Sequence, residues 1–153
     1  MNGIGHAAYI LLGHVPDKQI KYEAHIYTDV ELKAFFNAID RCPASPFSPT
    51  RKYVIPVIFR ILYCCRLRSS EARLLKKEEI DLQTGKITIR ESKGWKARIV
   101  VMSDDLLEVC REYDSIMESM FPGRQVFFPN KDRNCFSQSI LACWFHEFWD
   151  RLP

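Results

Sequence analysis

The chain lacks most of the short patterns that announce a chemistry. Its six cysteines, at 42, 64, 65, 110, 135 and 143, form no C-x-x-C pair, and none of the four histidines falls at zinc-finger spacing from two of them. Cys143 and His146 are spaced as one half-site, with no second half to match. No metal is therefore expected, and Cys64 and Cys65, within an apolar helical run, are expected to be buried free thiols. No run of about eighteen apolar residues occurs, so no membrane span or membrane partner is expected. No Lys or Arg precedes the apolar stretch between Met1 and Leu12, which argues against a secretory signal and for a cytoplasmic location. Internal repeats and low-complexity segments are also lacking.

What is there fits one globular unit. The 153 residues are 47% hydrophobic and 27% charged, enough apolar matter for a real core and too little charge for a disordered chain. The net charge of +3 says little, but its distribution says more. Between Arg51 and Arg98 stand thirteen Lys or Arg against five Asp or Glu, a local excess of +8, so the remainder carries −5. Such asymmetry predicts a basic face, for which a polyanion is the commonest partner.

Periodicity divides the chain into elements. Residues 1–27 hold three glycines, a proline and no helical period, and read as a linker or adapted N-terminal segment. Thr28-Asp29-Val30-Glu31 is a capping box, and Leu32, Phe35, Phe36 and Ile39 predict a helix to about Arg41. After a proline-rich loop from Pro43 to Pro49, Tyr53 to Cys65 is apolar almost all round, which predicts the central buried helix with Pro56 in its first turn. Ser69 or Ser70 is expected to cap a short helix reaching Lys77. Period two then takes over in Glu79–Leu82, Lys86–Glu91 and Ala97–Met102, joined by a turn at Gly85 and a hairpin loop at Ser92-Lys93-Gly94-Trp95. Ser103-Asp104-Asp105 opens a further helix with Leu106, Leu107, Cys110, Tyr113 and Met117 on its apolar stripe. Val126–Pro129 reads as extended. A last helix begins near Ser137 and buries Ile140, Leu141, Trp144, Phe145 and Phe148; Trp144 and Trp149 are expected in the core rather than as base-stacking platforms. The fold class is α+β, mainly helical with a small three-stranded antiparallel sheet.

This order resembles the tyrosine recombinase (phage integrase) family over roughly residues 27 to 128. The segment Leu62-Tyr63-Cys64-Cys65-Arg66-Leu67-Arg68-Ser69-Ser70-Glu71-Ala72 is similar to the family's first conserved box, Gly-Leu-Arg-x-x-Glu after an apolar helix. Ile80-Asp81-Leu82, Ile87-Thr88-Ile89, Ser92-Lys93-Gly94-Trp95-Lys96-Ala97-Arg98 and Ser103-Asp104-Asp105-Leu106-Leu107 follow in the family's order and spacing. The resemblance implies that residues 28–153 form part of a recombinase catalytic domain. It also implies an activity in DNA integration and recombination, by breaking and rejoining strands without metal or nucleotide cofactor.

The implied roles agree with the chemistry. Attack on a phosphodiester builds charge on its nonbridging oxygens, and a guanidinium can hold two of them at once. Arg68 matches the family's first catalytic arginine, and Glu71 would either orient it or cap the helix. Lys93 matches the catalytic lysine that gives a proton to the leaving 5′ oxygen. Lys96 and Arg98 are expected as backbone-phosphate contacts.

Two departures stand out. Arg66 occupies the family's glycine position, where positive φ would cost a non-glycine residue about 1 kcal/mol. The His-x-x-Arg box, a later His or Trp, and the nucleophilic tyrosine would all fall after the last helix. The expected protein is thus a fragment that is inactive alone, a piece of a longer recombinase or a decayed reading frame. Its expected partners are DNA and either further copies or a full-length recombinase. The rival expectation is a noncatalytic DNA-binding or interaction module.

Overall fold

The computed structural model describes residues 23–90 and 97–153. Helix α1 spans Asp29–Asp40 and opens on the expected box: Thr28 Oγ1 accepts from the Glu31 N–H at 3.3 Å, and Glu31 Oε2 accepts from the Thr28 N–H at 2.8 Å. Ahead of it, residues 23–27 form no helix or strand, and His25 and Tyr27 lie edge-on against Trp149. The rest of the expected N-terminal linker, residues 1–22, lies outside the described residues.

Helix α2, Arg51–Cys65, is the hub, with Val54, Ile55, Val57, Ile58, Phe59 and Ile61 all buried. It starts two residues earlier than the apolar run predicts, because the Tyr53 and Val54 N–H groups both donate to the Thr50 carbonyl and Arg51 pairs with Glu147. Pro56 therefore sits in the second turn rather than the first. The helix ends at Arg66, whose backbone is left-handed (φ 52°, ψ 39°). Helix α3 is only Ser69–Arg73. It stops short of Lys77 because the backbone beyond it pairs with a distant segment: the Phe127 N–H donates to the Leu75 carbonyl and the Lys77 N–H to the Gln125 carbonyl, both at 2.8 Å. A single 3-10 turn, Lys77–Glu79, leads into the sheet.

Strands β1 (Ile80–Asp81), β2 (Lys86–Ile89) and β3 (Arg98–Val101) form an antiparallel sheet in the order β1-β2-β3. Ile80 pairs with Ile87, Ile87 with Val100, and Ile89 with Arg98. Paired residues share a face, so Arg98 stands on the inner face beside the buried Ile87 and Ile89, while Ile99 and Val101 point outward and are exposed. Gly85 makes the turn before β2 at φ 76°, where an added Cβ would press on Leu107 Cδ2 at 3.3 Å.

Helix α4, Asp104–Met120, lays Leu106, Leu107, Cys110, Tyr113 and Met117 into the core as its stripe predicts. Phe127 and Phe128 follow, fully buried, with the Phe127 carbonyl accepting from the Tyr113 hydroxyl at 2.9 Å. Helix α5, Ile140–Trp149, covers α1 and α2 with Phe145 and Trp149, and its Trp144 is buried against Phe136. Cys65 is buried as expected, and burial pushes its thiol up to about 11; Cys64 is exposed, because a one-residue step on a helix turns it about 100° away from the core. Among the described residues no helix is long and apolar enough to cross a membrane, and no three potential metal-ligating side chains come together.

Candidate functional site around Arg68

The left-handed Arg66 turns the chain sharply out of α2, and Leu67 anchors the turn by burying its side chain. Arg68 comes next with extended backbone (φ −70°, ψ 153°) in the N-cap position of α3. Neither serine caps that helix: Ser69 and Ser70 lie inside it, and no cap side chain bonds its amides. Glu71 instead supplies the acceptor, its Oε2 taking the Arg68 N–H at 2.8 Å. An acidic residue at the third helical position can reach back to the N-cap amide whatever residue occupies the cap, and its charge suits the positive end of the helix.

The carboxylate that does this is almost fully enclosed, with 4% of its side chain exposed. Its charge is met by Arg98, which donates from Nη1 to Oε1 and from Nη2 to Oε2, each at 2.7 Å. Two parallel short bonds of this kind are the strongest geometry open to a carboxylate. Arg98 reaches it because the β2–β3 register brings its side chain to the inner face. The Arg98 hydrogen bonds hold the Glu71 carboxyl below its ordinary value; burial, the next largest effect, opposes them, and the Arg68 amide and the charges of both arginines add to the lowering. Arg68 itself is bound differently. Its guanidinium stands 3.8 Å from Glu71 Oε1, and its side chain is 52% exposed.

Beside Glu71 a cleft of about 350 Å³ opens between α3, the end of β2 and the Val126 segment, its walls carrying Lys76 and Arg90 together with the carboxylate of Glu79. Arg68, Glu71 and Arg98 thus come together around one carboxylate. Lys93 and Lys96 lie outside the described residues. Sequence reasoning missed the Arg98–Glu71 fork, although its signal was present in the alternation that puts Ile87, Ile89 and Arg98 on one face; the Lys76 and Arg90 walls had no such local signal.

The sequence profile of the phage integrase family matches residues 27–148. This chain belongs to the phage integrase family of tyrosine recombinases. Among its relatives, the putative integrase/recombinase y4rE of Sinorhizobium fredii is 30% identical over 124 residues, covering 78% of this chain and 39% of that protein. The tyrosine recombinase XerA of Thermococcus kodakarensis is 39% identical over 69 residues, covering 45% of this chain and 24% of that one. The recombinase fold recurs in the crystal structure of XerA recombinase (TM-score 0.69, 21% identity, 90% of this chain, 45% of that one). It recurs again in XerH site-specific recombinase bound to its difH substrate (TM-score 0.65, 23% identity, 90% of this chain, 40% of that one). This chain spans less than half the length of each of these proteins.

Proposed function

We propose that this chain carries the first-arginine part of a strand-transfer site, and that its ligand is a phosphodiester of duplex DNA. Arg68 holds the nonbridging oxygens, Lys93 protonates the leaving 5′ oxygen, and Lys96 contacts the neighbouring backbone; no step uses a metal or nucleotide cofactor. Lys93 is numbered from the family motif, and its role rests on that likeness. Further copies or a full-length recombinase are the expected protein partners, and the cytoplasm the expected compartment.

The observation that carries this reading is the unequal treatment of two arginines by one buried carboxylate. Arg98 is bound fully, while Arg68 is fixed at its amide with its guanidinium half exposed. A guanidinium on a rigid support with free donors is what a phosphate requires. The relatives support the choice of ligand: XerH has been seen on its difH substrate, and a lambda integrase of the same fold (TM-score 0.60, 14% identity) as a tetramer on a Holliday junction.

Titration of the chain with short duplex DNA over a range of salt concentrations tests the proposal. The logarithm of affinity should fall linearly with that of salt, largely regardless of sequence, and Arg68→Ala should lower the slope by about 0.9, one phosphate contact. Binding that ignores both salt and Arg68 would reject it.

A further inference from the structure

The sequence suggests Arg98 as a phosphate contact; the geometry points elsewhere. We infer that Arg98 is a positioning residue which, by occupying both oxygens of Glu71, keeps the guanidinium of Arg68 free to receive a phosphate. The inference rests on the phosphate reading of Arg68 given above.

Glu71 is a charge in a nearly closed setting, with 4% of its side chain exposed, and such a group takes whatever cation is within reach. Two are available. Arg98 comes from β3, on the inner face opposite Ile89, and fills both oxygens at 2.7 Å. Arg68 lies three residues before Glu71, at 3.8 Å from Oε1, too far for a hydrogen bond. A shift of about 1 Å would bring it into full contact. While Arg98 holds the fork, that shift gains little and the Arg68 donors stay in solvent. Without Arg98, Glu71 would draw Arg68 down, and a phosphate would have to compete with a carboxylate for the same guanidinium.

The decisive comparison preserves net charge. Arg98→Gln alone should weaken duplex DNA binding about three- to tenfold. Adding Glu71→Gln should restore affinity to within about twofold of the original chain, with the same salt slope, because an amide still accepts the Arg68 N–H yet does not capture its guanidinium. In that double variant Arg68→Ala should weaken binding as much as it does in the original chain. Neutralising Glu71 would also relieve a purely structural ion pair, so the discriminating readout is Arg68→Ala: its effect should be largely absent in Arg98→Gln, where Glu71 holds Arg68, and should return in the double variant.

If Arg98 instead touches phosphate, the double variant stays weak and its slope is lower by about 0.9, which would overturn the inference. Wild-type affinity in Arg98→Gln would overturn it too. Circular dichroism establishes that each variant is folded. Should Arg98→Gln not fold, Arg98→Lys takes its place, since one ammonium leaves one carboxylate oxygen for Arg68; affinity is then expected about two- to threefold down, and unchanged affinity counts against the inference. Arg68→Ala without effect in the original chain would fail the phosphate site itself. Arg68→Ala with its expected effect, beside a double variant that stays weak, fails only the role of Arg98.

Discussion

Arg66 and Glu71 sit five residues apart and do opposite things to stability. Arg66 holds φ at 52°, where a Cβ crowds the carbonyl, and among the described residues no hydrogen bond fixes its side chain. Arg66→Gly should therefore stabilise the chain by about 1 kcal/mol in urea unfolding, less whatever the added freedom of the unfolded glycine removes. A loss of stability would mean that the Arg66 side chain makes a contribution of its own. Glu71 contributes through its charge. Its carboxyl is held below the ordinary value of 4.5, chiefly by the Arg98 hydrogen bonds, so the folded state binds a proton more weakly than the unfolded chain. Its stabilisation is complete above that ordinary value and disappears as pH falls through the lowered one. Stability measured from pH 6 down to pH 3 should decline less steeply in Glu71→Gln than in the original chain. Parallel curves would show that Glu71 is not a coupled group. Glu31, Asp81 and Glu118 are also lowered, so the decline should be reduced and not abolished.

At the scale of elements, local pattern was a good guide wherever neighbours in sequence decide the outcome. The Thr28–Glu31 box, the stripe of α4, the all-apolar α2 and the isoleucines of the sheet each carry their own instruction, and each element formed where that instruction lay. Boundaries failed where a distant partner decides. Helix α3 was expected to reach Lys77, but Leu75 and Lys77 pair with Gln125 and Phe127, about fifty residues away, and nothing local announces that. Cys64 failed for a simpler reason: in a helix apolar on every side, composition does not say which residue faces out. The same 125–128 segment depends on α4, since the Tyr113 hydroxyl is the donor for the buried Phe127 carbonyl. Tyr113→Phe should cost about 1–3 kcal/mol by leaving that carbonyl without a partner, readable as a lower denaturant midpoint with unchanged slope. An unchanged midpoint would mean that water reaches the carbonyl.

Over the whole molecule, the basic stretch of the sequence contributes side chains to the proposed site. The excess of +8 between Arg51 and Arg98 includes Arg68, Lys76, Arg90 and Arg98, all on or next to the site and its cleft. The turn that carries Arg68 was legible because an ordered set of motifs, not a single Arg-x-x-Glu, set it between the apolar helix and the next one. The inner face of Arg98 was legible in the alternation of the strands, but not its partner there, which depends on how α3 packs against the sheet. The most direct test of the account is a structure of the chain with a short DNA duplex. The prediction is a backbone phosphate within hydrogen-bonding distance, about 3 Å, of the Arg68 guanidinium, with Lys93 on the same face and Arg98 still paired to Glu71. DNA seated on the opposite side of the domain, or Arg68 turned away from every phosphate, would contradict it.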